Sequence, residues 1–181
     1  MTTIPSSAQA VQLTGPGQLK LNTAKPVAQP TGSQILARVE ATGLCFSDLK
    51  LLKQFTEHAR KHPVISGVAP ELLAANPSYA PIEKPTVPGH ETVLRIVDIG
   101  PDVKNHKVGD RRLVQADWRW LLTSSGTNAA FGYNFEGGLQ EYVMLDEVFV
   151  TAPESGESML IPVSEEKSCS AICLVEPWAC V

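Results

Sequence analysis

The sequence predicts a mainly β domain with a few short helices, arranged as a barrel or sandwich. Three observations carry this. The chain reads as six to eight short strands separated by turn residues. It holds 13 glycines and 14 prolines among 181 residues, a level rich for a helical protein. Nowhere does strand alternate with helix as a parallel nucleotide-binding sheet requires, and neither GxGxxG behind a strand nor GxxxxGK[ST] occurs. No dinucleotide pocket is therefore expected in this chain alone.

Ala8 to Asn22 is expected to form a hairpin, because Val11 and Leu13, then Leu19 and Leu21, alternate on either side of the Gly15-Pro16-Gly17 turn. After a connection punctuated by Pro26 and Pro30, Gln34 to Thr42 alternates as a half-buried strand. Ile35, Ala37, Val39 and Ala41 share one face, Arg38 and Glu40 the other. Gly43 ends it. Ser47 and Asp48 open a short helix, Leu49 to Phe55, with Leu49, Leu52 and Phe55 at helical spacing. Residues 56–85 read differently. A basic stretch from Glu57 to His62, then Pro63, Pro70, Pro77, Pro81 and Pro85, marks an insertion or lid with one helical turn around Glu71 to Ala75. Thr92 to Gly100 and Arg111 to Asp117 are strands, bounded by the Gly100-Pro101 and Val108-Gly109-Asp110 turns. Trp118 to Phe135 reads as a loop, with strands again at Leu139 to Leu145 and Val148 to Thr151. Ser164 caps a helix over Glu165 to Val175, which Pro177 ends.

Composition excludes several function classes. With 43% hydrophobic and 19% charged residues the chain sits in the ordinary globular range. A net charge of -4 with scattered basic residues gives no footprint for a phosphate backbone, so no nucleic-acid partner is expected. No apolar run approaches the roughly 18 residues of a membrane span, and the first residues lack a basic and apolar leader. The cysteines, Cys45, Cys169, Cys173 and Cys180, form no CxxC pair, so reduced thiols and a cytoplasmic setting are expected.

Catalytic zinc needs about three ligands from Cys, His and carboxylate, with one position left open. Cys45 follows a strand and the Gly43 turn, and His90 stands in Pro88-Gly89-His90-Glu91 just before the next strand. Both are strand-end positions that can face a cleft. Taken bare, they are no local motif, and a lone cysteine is more often a small core residue than a ligand. His58 and His62 flank Arg60 and Lys61 and read as a solvated stretch; Cys169 and Cys173 read as the buried face of a helix, and His106 as a surface turn residue. Lys50, Lys53, Arg60 and Lys61 form a solvated face, with a substrate phosphate as the alternative.

The order of the motifs adds to this reading. Gly43-Leu44-Cys45-Phe46-Ser47-Asp48, Pro88-Gly89-His90-Glu91, Val108-Gly109-Asp110-Arg111, Gly137-Gly138-Leu139-Gln140-Glu141-Tyr142-Val143 and Val175-Glu176-Pro177 follow one another along the chain. In this the chain resembles, from end to end, the GroES-like catalytic domain of the medium-chain zinc alcohol and polyol dehydrogenases, a partly open barrel. Glu176-Pro177 looks like the polyol branch. The insert before Gly-His-Glu, together with Val114-Gln115-Ala116, Gly132-Tyr133-Asn134-Phe135 and Leu174-Val175-Glu176-Pro177, looks closest to the L-sorbose-1-phosphate reductases.

The resemblance implies zinc ligands at Cys45 and His90, with Glu91 and Glu176 as carboxylates that exchange at the metal. It implies a proton-relaying hydroxyl at Ser47 and a carboxylate orienting the ligand histidine at Asp48. Three positions depart from the family pattern. Leu94 stands where the family has Gly, Lys50 replaces the outer relay His, and no cysteine occurs between Asp117 and Gly138, where many relatives bind a structural zinc. One catalytic zinc and no structural zinc are therefore expected.

The implied function is interconversion of a secondary alcohol, a polyol or sugar phosphate, with a ketone, using NAD or NADP. Relatives place the nicotinamide domain directly after Glu-Pro, so 1–181 is expected to be the catalytic domain of a longer enzyme, inactive by itself and oligomeric at full length. Two other readings stay open: a GroES-like binding module without catalysis, and a zinc-free reductase domain that needs neither Cys45 nor Glu176 as a ligand.

Overall fold

The computed structural model describes residues 3–179, so Cys180 lies outside the described part. Ten strands are described, and every ladder between them is antiparallel. Strands β1 (Ser7–Gly15) and β2 (Gln18–Pro26) form the expected hairpin. Strands β3 (Gln34–Gly43), β5 (Glu91–Ile99), β6 (Arg111–Val114), β9 (Tyr142–Asp146) and β10 (Leu160–Pro162) form a sheet in the order β10-β6-β5-β3-β9. A third sheet has the order β4-β7-β8, from β4 (Val64–Ser66), β7 (Asp117–Thr123) and β8 (Asn128–Ala130). The sheets do not close into one ring. They are stitched at their edges, for instance by Val11 N–H to Leu139 O at 2.8 Å and Leu13 N–H to Thr86 O at 2.7 Å.

The main core lies between the second and third sheets. Ile35, Leu94 and Ile96 meet a cluster of rings there, with Trp118 and Phe135 centroids 4.6 Å apart and Phe135 and Phe149 5.2 Å apart. Burying an aromatic ring contributes on the order of 2 kcal/mol or more, which makes this cluster the chief stabiliser of the fold.

Several local readings are corrected. Leu19 and Leu21 face solvent on β2, the outer strand of a two-stranded sheet; β1 turns Ala8, Ala10 and Leu13 inward. The first helix, α1 (Phe46–Gln54), starts earlier than Leu49 and has Cys45 as its N-cap; Leu51 and Phe55 are buried while Leu49 is exposed. Trp118 to Phe135 contains the β7–β8 hairpin rather than only a loop. Val148 to Thr151 is not a strand: the Asp146 side chain accepts the Val148 N–H at 3.0 Å and starts the short helix α3 (Glu147–Val150).

The C-terminal helix begins at Ser168, not Ser164. Ser168 Oγ accepts from Ala171 N–H at the head of α4 (Cys169–Cys173), whereas Ser164 caps only a turn. Pro177 lies inside α5 (Val175–Ala179), in the first turn, where its missing N–H removes no helical bond. His106 is buried instead of exposed, bonded to Glu147 and Ser158.

Segment 56–85 holds two 3-10 turns, β4 and the helix α2 (Pro70–Ala75). Val64 and Leu73 belong to the main core, and Lys61 is fully buried, its ammonium on the carbonyls of Ala80 and Lys84.

Candidate active site

Two chain segments 45 positions apart meet beside the exposed end of α1. The first leaves β3 at Gly43 and turns into the helix at Cys45. The second reaches β5 through Gly89, whose φ of +95° only glycine adopts without strain, and delivers His90 and then Glu91. Asp48 joins them. Its Oδ2 accepts the Cys45 N–H at 2.9 Å, its Oδ1 the Gly89 N–H at 3.1 Å, and the same Oδ1 lies 3.4 Å from His90 Nδ1. Though close enough for an ion pair, His90 Nδ1 has no formed hydrogen bond. Burial pushes the Asp48 carboxyl up, but His90 and the two backbone N–H groups outweigh it and hold it below the usual range.

These turns bring Cys45, His90 and Glu91 together, each with a ligand-type atom within 4.8 Å of the others; among the described residues this is the one such cluster. Glu176 is not part of it but lines the same cavity of about 530 Å³. Burial lowers the His90 pKa, yet Asp48, then Glu176 and the Cys45 side chain, more than reverse that and lift it to about 9. The neighbourhood therefore favours positive charge strongly. Burial lifts the Glu176 carboxyl; His90 opposes this, while Glu91, Asp117 and Asp48 add to it. A thiol, an imidazole and a carboxylate around a point that attracts positive charge suit zinc, whose ligands are S, N and O donors.

Gly43 also shapes the cluster. It pairs with Glu91 across β3 and β5, and a Cβ there would fall 3.1 Å from Glu91 Cβ and 3.2 Å from Cδ, nearer still to Oε2. The Glu91 carboxylate thus fills the space a side chain would take.

Ser47 Oγ lies 3.4 Å from His90 Nε2 and faces the Tyr133 hydroxyl, whose pKa burial pushes up and Ser47 draws down. Tyr133 was not singled out from the sequence, nor was its stacking between His90 and His58, with centroids at 5.6 and 5.1 Å. Its only trace is the Gly132-Tyr133 pair within a motif noted for resemblance. The basic group divides. Lys50, His58 and Arg60 line the cavity, Arg60 paired with Asp117, while Lys61 is buried elsewhere and His62 turns to Ser124. Leu94, standing where relatives have Gly, points into the main core.

An open antiparallel β domain with a thiol–imidazole–carboxylate cluster at its strand ends defines a catalytic-type domain of the oxidoreductases. The profile of the alcohol dehydrogenase GroES-like domain matches residues 31–154, and the chain belongs to that family, the catalytic-type domain of medium-chain alcohol and polyol dehydrogenases. It is 32% identical over 139 residues to an alcohol dehydrogenase of Rhizobium meliloti, covering 69% of this chain and 33% of that one. It is 26% identical over 174 residues to the (R,R)-butanediol dehydrogenase of Bacillus subtilis, covering 86% of this chain and 40% of the relative. The chain thus spans between a third and two fifths of the length of these relatives. Among solved structures, a Sinorhizobium meliloti zinc-binding dehydrogenase bound to NADP superposes with a TM-score of 0.65 at 20% identity, covering 97% of this chain and 44% of its own, a likeness of fold. No helix among the described residues is long and apolar enough to cross a membrane.

Proposed function

We propose that residues 1–181 are the catalytic domain of a zinc-dependent dehydrogenase that interconverts a secondary alcohol, in a polyol or sugar phosphate, with the ketone. The observation that carries this is the convergence of Cys45, His90 and Glu91 within 4.8 Å beside a cavity open to Ser47 and Glu176. A zinc ion held there would act as a Lewis acid on the substrate oxygen, favouring the alkoxide near neutral pH.

The chain's own residues do the rest. Cys45 and Glu91 supply negative charge, and His90 a nitrogen kept in place by Asp48, with Glu176 near enough to exchange in. Ser47 is placed to take the proton from the substrate hydroxyl and pass it to Tyr133, which offers an exit where Lys50 replaces the family's relay His. Lys50, and Arg60 beside its partner Asp117, put cations on the cavity wall, while burial, then Arg60 and Lys50, favour the neutral form of His58; the two cations support a phosphorylated substrate and hence the likeness to sorbose-phosphate reductases. The hydride partner is NAD or NADP. The described sheets are wholly antiparallel, so the nicotinamide is assigned to sequence beyond this domain.

The test is metal binding by the chain itself. Titration with cobalt(II) should give thiolate charge-transfer and tetrahedral d–d bands at one ion per chain, displaced by zinc, and lost in Cys45→Ser and His90→Ala. A protein that binds no metal, or binds it equally well without Cys45, leaves the zinc-free reductase or the binding module as the reading.

A further inference from the structure

Away from that cavity, a second group of side chains is arranged for chemistry. Ser158, between α3 and β10, has its Oγ 3.0 Å from His106 Nε2, and His106 Nδ1 lies 2.8 Å from Glu147 Oε1. Hydroxyl, imidazole and carboxylate in hydrogen-bond succession are the mark of an activated nucleophile, recognised by geometry and not by order in the chain.

The surrounding bonds fix where the protons sit. Glu147 Oε1 also accepts the Asn105 N–H and Oε2 the Lys104 N–H, both at 2.8 Å. Burial pushes this carboxyl up, but these bonds and His106 outweigh it, so it stays ionised and can only accept. His106 therefore donates from Nδ1 to Glu147, and in the neutral ring it is Nε2 that faces Ser158 with a lone pair. Ser158 Oγ accepts the Leu160 N–H at 3.1 Å and keeps its own O–H free to donate to Nε2. The His106 side chain is 1% exposed and cannot turn to water.

Ser158, by contrast, is half-buried and lines a cavity of about 350 Å³ with Gln115, Arg119, Trp120 and Met159. The Trp120 Nε1–H is buried without a partner, a spare donor in a residue of that wall. A buried histidine needs two partners, but that need alone does not put a half-exposed hydroxyl on its accepting nitrogen at the edge of a cavity.

We propose that Ser158, His106 and Glu147 form an acyl-transfer site for small carboxylic esters, separate from the Cys45 site. Ser158 Oγ bonds to the ester carbonyl carbon as its proton passes to His106 Nε2. The carbon–alkoxide bond then breaks and the alcohol leaves with that proton. Water repeats the sequence on the acyl-serine, its proton going through His106 back to Ser158, to release the acid. The cavity, about 350 Å³, has room for a small ester.

The unaltered chain is treated with a fluorophosphonate probe and mapped by mass spectrometry, and its hydrolysis of 4-nitrophenyl acetate is followed. One adduct at Ser158 is expected, with hydrolysis falling a hundredfold or more in Ser158→Ala and in His106→Gln, the span a positioned base contributes. Labelling needs no variant, so a misfolded His106→Gln leaves the test intact. No adduct at Ser158 in the folded protein, or a Ser158→Ala chain that hydrolyses as fast as the original, overturns the proposal.

Discussion

Gly43→Ala tests the contact that sets the Glu91 carboxylate. An alanine Cβ would stand 3.1 Å from Glu91 Cβ and 3.2 Å from Cδ, where ordinary contact begins at 3.4 Å, and closer still to Oε2. Rotating the carboxylate relieves Oε2 but not Cβ, which is fixed to the neighbouring strand of a registered pair. The strands must therefore part by a few tenths of an ångström or the side chain must leave. Overpacking of this kind costs about 1–3 kcal/mol. Urea unfolding should show that loss in Gly43→Ala. Cobalt affinity should fall by about 10- to 100-fold, the range seen when groups that hold metal ligands are disturbed. The double variant Gly43→Ala, Glu91→Ala removes Cδ and Oε2 but keeps the Cβ at 3.1 Å, so it should recover part of the stability and none of the affinity. Wild-type stability in Gly43→Ala, or a double variant no more stable than the single one, would falsify the packing argument.

Other expectations concern charges. Burial lowers Lys61 to about 7 against the ordinary 10.5, Glu136 and Glu83 opposing. Between those values the unfolded chain binds the extra proton, so stability should rise with pH across about 7 to 10.5, by up to ~1.4 kcal/mol per unit, and level off below 7. Lys61→Met should abolish that slope in denaturant midpoints measured across the range; an unchanged slope refutes it. Asp48→Asn keeps the shape of the linker but loses its charge, and zinc affinity by competition titration should drop about 10-fold or more. Arg111 donates to Glu40 at 2.6 Å and to the carbonyls of Ser164 and Lys167 at 2.7 and 2.8 Å. Arg111→Met removes these bonds, but Glu40 keeps Arg95 and the two carbonyls belong to exposed residues that water can reach, so unfolding free energy should fall by about 1–3 kcal/mol; an unchanged value would count against it.

The strands that alternate cleanly were legible in the sequence: β1, β3, β5 and β9 fall where Leu13, Ile35, Val93 and Val143 place them. The β7–β8 hairpin was not, because its register shifts between Trp118 and Leu122, and a bulge destroys the period of two that marks a strand. Val148, Phe149 and Val150 suggested a strand by their branched and aromatic side chains, while the bond from Asp146 that starts a helix depends on one rotamer. At the candidate site, the strand-end places of Cys45 and His90 could be read from Gly43 and Gly89. Tyr133 and His58 could not, since they approach only when β8 folds over α1. The same holds for His106, whose partners lie 41 and 52 residues away.

Asp48 bonds both the Cys45 and Gly89 backbones, so the thiol and the imidazole are separated by the span of one aspartate and not by the 45 residues between them. Spacing is thereby uncoupled from loop length. The exposed parts of residues 56–85 can be lengthened or exchanged to suit a new substrate without retuning the ligand geometry, provided Lys61, Val64 and Leu73 keep their buried places. The same economy concentrates risk: a change at this one carboxylate reaches both halves of the site at once.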